Sequence, residues 1–406
     1  MSFFKNSQVA KEFKVSNTTV TNWIEAAEKG LVDIKLATIG TRKVIIDSLE
    51  NRELLQVLKN KGKKHVGKTN QKHVKVDPLL YKIFNDYQLS EIYTGLQTRK
   101  LIPYKYSFFN IGAGLWSQNY SFKKNNLSNE YNTASDAHNL FAENLDRIFL
   151  SFEKFKNSDS YVNLIDIGSG NGEPATPFIE KLLEKNIKVR YIPIDFSKES
   201  LDIAQNTVLK KFPKLIVKPY QIDLENSNLS KILLENKELN DTNFVMMFGI
   251  MGNYNGEASF LRKVGQALSD DDHLILGCQI LSENIPLQPS SINNFHTERT
   301  EWIPNYLGLK NHYYSDNIIK VKPHRLYEYR TIKMINNVTL DLYIANRNRR
   351  INLFKNDEIV VYEFSYLTEI KIIEMAIHEG FSIEYFTTNT KRNYAITLLS
   401  LAKKTL

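Results

Sequence analysis

The central part of the chain alternates between unbroken apolar runs and stretches with helical periodicity. Five apolar runs predict buried strands, at 162–167, 189–195, 216–222, 243–249 and 273–281. Between them, apolar residues at helical spacing predict helices near 175–185, 198–211 and 256–268. Strands that alternate with helices favour a mostly parallel, Rossmann-like sheet with right-handed crossovers, so the predicted fold class is α/β.

The remaining part of the large domain, taken as 78–406, predicts a second lobe. The stretch 325–345 (RLYEYRTIKMINNVTLDLYIA) alternates in polarity and predicts an antiparallel hairpin that turns at Asn336-Asn337. The stretch 381–404 predicts a hairpin that closes the central sheet. We expect an α+β substrate lobe over about 79–154 and 287–360, beside a core over about 155–286 and 361–406.

The first 58 residues carry a separate helical pattern. Two apolar stripes predict two helices joined by a turn through Val15, the first with Val9, Ala10 and Phe13 and the second with Val20, Trp23 and Ile24. A small wing with its turn at Gly40 and a further helix from Asp47 follow. The segment resembles the winged helix-turn-helix of MerR-type regulators and excisionases over residues 5–58, which implies duplex DNA as a partner. The candidate DNA-binding residues are Ser16, which is also a good N-cap, Asn17, Thr18, Thr19, Thr21, Asn22, Arg42 and Lys43.

The charge distribution supports a polyanion partner for this segment. The net charge is +8, and residues 1–77 supply +7 of it, with 15 Lys/Arg against 8 Asp/Glu. Seven lysines and no acid fall in 59–75, so 59–77 is predicted to be a basic linker. Because specific operators are usually paired half-sites, a homodimer is also expected. A protein-docking role for this module remains an alternative.

Composition excludes several other classes. No apolar run is long enough to span a bilayer, and the first residues lack the apolar region of a signal peptide, so we expect no membrane partner. The only cysteine is Cys278, which excludes a disulfide framework and favours a cytoplasmic location. The eight histidines show no metal-ligand spacing, so no metal is predicted.

The most informative motif is VNLIDIGSGNG, residues 162–172, where a buried strand runs into a glycine-rich turn and then a helix. Such a unit brings backbone and a helix N-terminus close to a nucleotide-like ligand. Asp195 ends the next strand and can hold both ribose hydroxyls of an adenosine, and Asp223 is placed to meet its amino group. The pattern D-x-G-S-G-x-G resembles the first motif of class I S-adenosylmethionine (SAM) methyltransferases, which implies SAM as cofactor. The candidate SAM-binding residues are Asp166, Gly168, Ser169, Gly170, Asn171, Gly172, Asp195, Ser197, Asp223, Leu224 and Gly249.

Further segments resemble one methyltransferase family in order along the chain. GIMGNY (249–254) is similar to the G-S-x-x-G-N-F/Y segment of the histidine-specific SAM methyltransferases, which include the histidine Nα-methyltransferase of ergothioneine synthesis. PYKYSFFNIGAGLWSQ (103–118), NEYNTA (129–134) and VYEFSY (361–366) also match that family's segments, and the resemblance spans about 79–406. The resemblance implies that Glu363 and Ser365 bind the imidazole of a histidine-like substrate. It also implies that Asn253 binds the carboxylate and that Tyr131 orients the amine of that substrate. Asn253 and Tyr131 are therefore the catalytic candidates.

These patterns lead to one preferred hypothesis and two alternatives. The preferred one is a SAM-dependent N-methyltransferase that acts on the amine of histidine, or of a related small amine or peptide, and carries a DNA-binding module. The first alternative is a transcription regulator that uses the methyltransferase-like domain as a sensor of SAM or a metabolite. The second is an enzyme whose N-terminal module binds protein.

Overall fold

The structure is a computed structural model that describes ten parts of the chain: 3–28, 32, 34–39, 42–61, 71–117, 133–150, 160–238, 240–253, 256–281 and 294–403. Contacts within the chain define two compact units. The first combines 1–100 with 306–314 and 333–358; the second combines 101–305 with 315–332 and 359–406. Over the described parts, no helix is both long and apolar enough to cross a membrane.

The strands in chain order are β1 (Phe3–Phe4), β2 (Leu36–Ile39), β3 (Arg42–Ile46), β4 (Lys72–Val74), β5 (Tyr161–Ile167), β6 (Lys188–Asp195), β7 (Ile216–Val217), β8 (Tyr220–Gln221), β9 (Thr242–Phe248), β10 (His273–Gln279), β11 (Tyr313–Lys322), β12 (Arg325–Met334), β13 (Val338–Ile344), β14 (Arg347–Leu353), β15 (Glu358–Leu367), β16 (Phe381–Thr388) and β17 (Tyr394–Leu401). The helices are α1 (Asn6–Glu12), α2 (Asn17–Glu28), α3 (Leu49–Lys61), α4 (Leu80–Ile83), α5 (Asp86–Thr94), α6 (111–117), α7 (Thr133–Leu150), α8 (Thr176–Glu184), α9 (Lys198–Lys211), α10 (Leu229–Asn236), α11 (Glu257–Ala267), α12 (Asn294–Tyr306) and α13 (Glu369–His378).

The N-terminal part of the first unit has its own apolar core. Helices α1 and α2 are joined by a short turn, and the Ser16 hydroxyl accepts a hydrogen bond from the Thr19 backbone N–H at 3.1 Å, which caps α2. Strands β1, β3 and β2 form a small antiparallel sheet in that order. The buried core residues of this part are Phe4, Val9, Phe13, Val20, Trp23, Ile24, Ile34, Ile45 and Leu55.

The rest of the first unit contains a second three-stranded sheet, in the order β14-β13-β4. Strand β4 lies in the lysine-rich segment for which the sequence predicts a linker over 59–77, and residues 59–61 are the last turn of α3. Both ends of that segment therefore have regular structure. Val74 pairs with Leu340 in a parallel register, so this part of the segment is tied into a sheet.

The predicted hairpin over 325–345 is wrong. Strand β12 lies in a sheet of order β11-β12-β15, whereas β13 pairs with β14 and β4. Each strand has the alternation that the sequence predicts, but the two strands pair with different partners. The predicted substrate lobe is likewise divided, since 79–100 and 333–358 belong to the first unit and 101–117 and 133–150 to the second.

The second unit contains the predicted central sheet, in the order β16-β17-β10-β9-β5-β6-β7, with β8 also beside β6. The strands from β10 to β7 and β8 are parallel, and β17 and β16 close the sheet as an antiparallel hairpin, as predicted. The predicted third strand is two short pieces, because Pro219 between them lacks a backbone donor. The strand order reverses beside β5, where open α/β sheets bind ligands.

The unbroken apolar runs have a direct structural cause, since both faces of the sheet are covered. Successive side chains of β5 point to opposite faces, so Ile165 and Ile167 join one core cluster while Val162 and Leu164 join another. Helices α10, α11 and α13 contribute to the first cluster, and α7 and α8 contribute to the second. Cys278 of β10 is buried in the first cluster, and burial raises the pKa of its thiol to about 12.

Candidate active site

The glycine turn after β5 forms a backbone cradle in which no side chain can be added without a clash. Gly168, Gly170 and Gly172 have φ values of +67°, +53° and +72°, which glycine adopts at little cost. A Cβ atom at Gly168 would lie 2.6 Å from Ile250 Cγ2, and one at Gly170 would lie 2.6 Å from Trp116 Cη2. Side chains at these positions would therefore fill the cradle.

A cavity of about 350 Å³ lies at the carboxyl ends of the central strands in the second unit. This volume is within the range typical of small-ligand sites. Ten of the predicted site residues line it: Asp166, Gly168, Ser169, Gly170, Asn171, Asp195, Asp223, Leu224, Gly249 and Asn253. Two predicted SAM-binding residues are not in its wall. Gly172 is packed against Ala204 of α9, and Ser197 caps α9 and donates a 2.7 Å hydrogen bond to Glu199.

Two carboxyl groups, the buried Asp166 and the half-buried Asp195, lie beside the turn. Asp195 accepts hydrogen bonds from the backbone N–H groups of Gly170 at 3.2 Å and Ser197 at 2.9 Å. Burial raises its pKa to about 6, although these backbone donors act in the opposite direction. Asp166 accepts a 2.7 Å bond from the Tyr191 hydroxyl, and burial, with a smaller effect of nearby Asp195, raises its pKa to about 7. Both groups therefore change charge near neutral pH.

The third carboxylate, Asp223, is paired with a lysine that the sequence analysis missed. Lys105 Nζ lies 2.8 Å from Asp223 Oδ2 and 3.2 Å from Glu225 Oε2, and its side chain is largely buried. Its ammonium group also lies 5.6 Å from the centre of the Phe196 ring. Lys105 falls inside the segment 103–118 that carries the family resemblance, so its position in that motif was the available signal.

Asn253 lines the cavity and has an amide oxygen without a hydrogen-bond partner in the described part of the structure. It lies in the 3-10 turn Met251–Asn253 after β9, and its Nδ2 donates a 3.2 Å hydrogen bond to the carbonyl of Gly249. That carbonyl can only accept, so the amide is oriented with Oδ1 away from it. Asn253 Oδ1 is buried and, among the described residues, has no hydrogen-bond partner. A ligand N–H or O–H would satisfy it.

The structure does not bring the predicted imidazole pair to this cavity. The alternate residues of β15, Tyr362 and Phe364, line the wall, and neighbouring side chains on a strand point to opposite faces. Ser365 is buried and donates a 2.7 Å bond to Glu257 Oε1, while Glu363 accepts from the Tyr329 hydroxyl. Tyr131 lies outside the described residues.

Several aromatic and charged wall residues gave no sequence signal of their own. They include Tyr104, Phe108, Trp116, Phe248, Arg299 and Tyr394. Tyr104, Phe108 and Trp116 share the segment 103–118 that carries the family resemblance, whereas Phe248, Arg299 and Tyr394 lie far apart in the chain and are brought together only by the fold. Over the described part of the chain, no group of three or more His, Cys, Asp or Glu side chains could hold a metal ion.

The predicted DNA-binding residues lie on α2 and on β3. Asn17, Thr18, Thr21 and Asn22 are exposed, and Thr19 is half-buried. Some of their hydroxyls already have local partners, since Thr19 Oγ1 lies 2.8 Å from Ser16 Oγ and Thr21 Oγ1 donates to the Asn17 carbonyl. Lys43 Nζ donates to Thr38 Oγ1 at 2.8 Å. The side chain of Arg42 is outside the described part of the structure.

Comparisons with known proteins give a family for most of the chain. A sequence model of the family described as histidine-specific, SAM-dependent methyltransferases matches residues 88–401. Curated proteins give no match.

Among solved structures, a SAM-dependent methyltransferase from Clostridium acetobutylicum is 10% identical, with 71% of this chain and 99% of that chain covered and a TM-score of 0.42. The magnesium protoporphyrin IX methyltransferase of Synechocystis, solved with bound SAH, is 13% identical, with 74% and 98% covered and a TM-score of 0.37. A sugar N-methyltransferase from Streptoalloteichus is 10% identical, with 71% and 93% covered and a TM-score of 0.35.

The fold and the site define a class I SAM-dependent methyltransferase, an enzyme with SAM as its cofactor. The family match covers most of the chain, and the chain belongs to the histidine-specific, SAM-dependent methyltransferase family. The cavity fits that cofactor, because its wall combines a turn of side-chain-free glycines, the buried Ser169 hydroxyl without a partner in the described residues, and carboxylates suited to an adenosine.

Proposed function

We propose that the chain transfers a methyl group to the amine nitrogen of histidine or of a related small amine or peptide. When bound, SAM supplies an electrophilic methyl group. The observation that carries the proposal is the buried Oδ1 of Asn253, which lies in a residue of the cavity wall and has no hydrogen-bond partner among the described residues. An amide oxygen accepts a hydrogen bond from a neutral amine and so directs the nitrogen lone pair away from itself.

The cofactor side of the proposal rests on the cradle and its acids. Asp195 would accept bonds from the ribose hydroxyls, and Asp223 would accept one from the adenine amino group. Lys105 holds the Asp223 carboxylate in place through its 2.8 Å contact. The aromatic wall excludes water, which strengthens the polar contacts made inside the cavity.

The chemistry needs no strong base on the protein. The amine must reach the site without its proton, and the proton lost on methylation leaves to solvent. Asn253 is a positioning group for that amine, and its own orientation is fixed by the Gly249 carbonyl. Correct placement of two reacting atoms is worth several orders of magnitude in rate.

The test is mass spectrometry of reactions that contain SAM and a panel of amino acids, small amines and peptides. Replacement of Asn253 by Ala should lower kcat/KM by about 100-fold, by analogy with the loss of other transition-state contacts, and leave SAM affinity unchanged. Asn206→Ala, at an exposed site on α9, is the matched control. Methylation of an oxygen or carbon acceptor in place of every amine would contradict the proposal.

We further propose that the N-terminal module binds duplex DNA as a winged helix-turn-helix and that the whole chain acts as a dimer on paired sites. Support comes from the exposed polar side chains of α2 and from the basic excess in residues 1–77. The same features favour a second candidate function, a regulator in which the methyltransferase domain senses SAM. The two are separated by adding SAM to a DNA-binding assay, because only the regulator requires SAM to change the affinity for DNA.

A further inference from the structure

The cavity wall contains a buried arginine without a role so far. Arg299 of α12 is 3% exposed and lines the cavity. Its guanidinium carbon lies 4.4 Å from the centre of the Phe108 ring and 5.2 Å from that of Tyr362. The guanidinium group is therefore packed against two aromatic rings. Its Nε–H has no hydrogen-bond partner among the described residues.

Burial of the charged Arg299 guanidinium group costs desolvation free energy when no ligand is bound. Burial lowers the pKa of Arg299, and its hydrogen bond to the Tyr362 side chain and the charge of nearby Glu328 oppose that effect only in part. An arginine nevertheless stays protonated in proteins, so the charge persists in the cavity. A buried donor on a charged group leaves a penalty that an anion can remove.

The contacts of the wall place this charge on the acceptor side of the cavity. Tyr362 and Phe364 share the cavity face of β15. A Cβ atom at Gly252 would lie 2.5 Å from Phe364 Cζ, so the Phe364 ring covers the turn that carries Asn253. Arg299, Tyr362, Phe364 and the Asn253 turn therefore form one continuous wall.

The other cation of the described wall is already used. Lys105 pairs with Asp223, the acid assigned to the adenine amino group, and with Glu225. The cavity is thus divided, with acids Asp166, Asp195 and Asp223 around the proposed cofactor and, by the acceptor, an arginine whose Nε–H has no partner in the described part of the chain. An acceptor that carries a negative group matches this division.

We propose that Arg299 binds an anionic oxygen group of the methyl acceptor, a carboxylate or a phosphate, and so selects anionic amines over neutral or cationic ones. This inference rests on the proposed N-methyl transfer. Asn253 binds the amine of the acceptor and Arg299 binds its anionic group. The family resemblance does not imply this assignment of roles. Planar guanidinium groups bind both kinds of anion through paired hydrogen bonds.

The experiment compares acceptors that differ only in the anion. Histidine is paired with histamine, tyrosine with tyramine, and phosphoethanolamine with ethanolamine. Initial rates with SAM give kcat/KM for each, and calorimetry in the presence of S-adenosylhomocysteine gives affinities that do not depend on turnover. We expect the anionic member of a pair to be preferred by about 100-fold, as expected for a charged hydrogen-bonded partner. The pair that shows the preference distinguishes carboxylate from phosphate.

The variants separate Arg299 from general effects on the fold. Arg299→Met should remove the preference by weakening only the anionic member, and Arg299→Lys, which keeps the charge, should restore part of it. The control is Arg262→Met, because Arg262 is an exposed residue paired with Glu379 outside the cavity wall. Thermal unfolding of each variant shows whether the fold is retained.

Three results would overturn the inference. Equal use and equal binding of both members of every pair by the wild type would do so. So would a loss of SAM affinity in Arg299→Met as large as the loss of acceptor affinity, because Arg299 would then hold the carboxylate of SAM itself. The third is the absence of any anionic ligand that binds more weakly to Arg299→Met. If anionic ligands bind through Arg299 but no amine is methylated, the N-methyl transfer fails and the anion site stands.

Discussion

At the scale of single residues, the titration of Asp195 couples cofactor binding to pH. In the folded chain its pKa is raised from 3.8 to about 6, so folding favours the protonated form. The stability that this proton contributes is complete below about pH 3.8 and is lost as the pH rises through about 6. The ionised form is the better acceptor for ribose hydroxyls, so SAM affinity should change in the opposite direction.

The corresponding prediction is that the Kd for SAM falls as the pH is raised from about 5 to 8, while the stability of the protein without SAM decreases. Asp195→Asn should weaken SAM binding at pH 8 by about 1–3 kcal/mol and flatten the part of both pH profiles centred near 6. Calorimetry and thermal unfolding measure the two quantities. Asp202→Asn, an exposed acid paired with Lys198 on α9, is the control. A pH profile unchanged in Asp195→Asn would contradict the assignment.

A second prediction at this scale distinguishes the roles of the side chains on the two faces of β15. Phe364→Ala should enlarge the cavity and lower kcat/KM for the acceptor, because the Phe364 ring lines the cavity. Ser365→Ala should instead lower the free energy of unfolding by about 1–3 kcal/mol, because Glu257 loses a buried hydrogen bond. Steady-state kinetics and denaturant unfolding on both variants and on Glu363→Ala provide the comparison. Loss of acceptor binding in Glu363→Ala and Ser365→Ala, without an effect of Phe364→Ala, would favour the imidazole pair that the resemblance implies.

At the scale of elements, the central strands could be predicted because both faces of the sheet are buried. An unbroken apolar run such as 162–167 then has one interpretation, and the glycine turn after it follows from the motif. The hairpin over 325–345 could not be predicted in the same way. Alternation and an Asn-Asn turn define two strands, but the choice of β11, β15, β14 and β4 as partners depends on long-range packing.

The site residues also differ in whether the local sequence or long-range packing determines their place in the cavity. Asp166, Asp195 and Asp223 could be predicted because each ends a strand of a parallel sheet, and parallel strand ends share one edge. Arg299 and Tyr362 could not, because they reach the cavity from α12 and β15, far away in sequence. No local pattern distinguishes such residues from ordinary surface positions.

The element-scale prediction concerns the glycine turn. Gly170→Ala should weaken SAM binding by at least about tenfold, because the new methyl group would meet Trp116 and change the cavity wall. The positive φ should in addition lower the free energy of unfolding by roughly 1–2 kcal/mol. Gly114→Ala in α6 is a matched control, since a Cβ there meets no atom within 4 Å and its φ is not positive. That control should be neutral or stabilising. Equal SAM affinity in the two variants would argue against the cradle.

At the scale of the whole molecule, the N-terminal module decides whether methyl transfer is connected to DNA. Thr18 and Asn22 are exposed one helical turn apart on α2, so they share a face that a major groove could accept. Lysines of the module would contact phosphates at any sequence. Sequence preference and general affinity should therefore respond to different substitutions.

We expect the full chain to bind duplex DNA with an affinity that falls steeply as salt rises. Thr18→Ala combined with Asn22→Ala should relax sequence preference, whereas Lys11→Ala combined with Lys14→Ala should weaken binding to all sequences alike. Gel-shift titrations on genomic fragments measure both effects. Asn206→Ala combined with Thr207→Ala, a similar pair on α9, should change neither. No binding at about 50 mM salt would make the module a protein-docking unit.

The buried thiol of Cys278 should be unreactive towards thiol reagents in the folded protein. It is the only sulfhydryl in the chain, and the rise of its pKa to about 12 leaves almost no thiolate to react near neutral pH. Maleimide and nitroxide reagents should therefore leave the native chain unlabelled. Cysteines introduced at Asn22 and Asn206, which are both exposed, would be the sole points of attachment. A pair of spin labels there would report the separation of the N-terminal module from the catalytic sheet, with and without SAM.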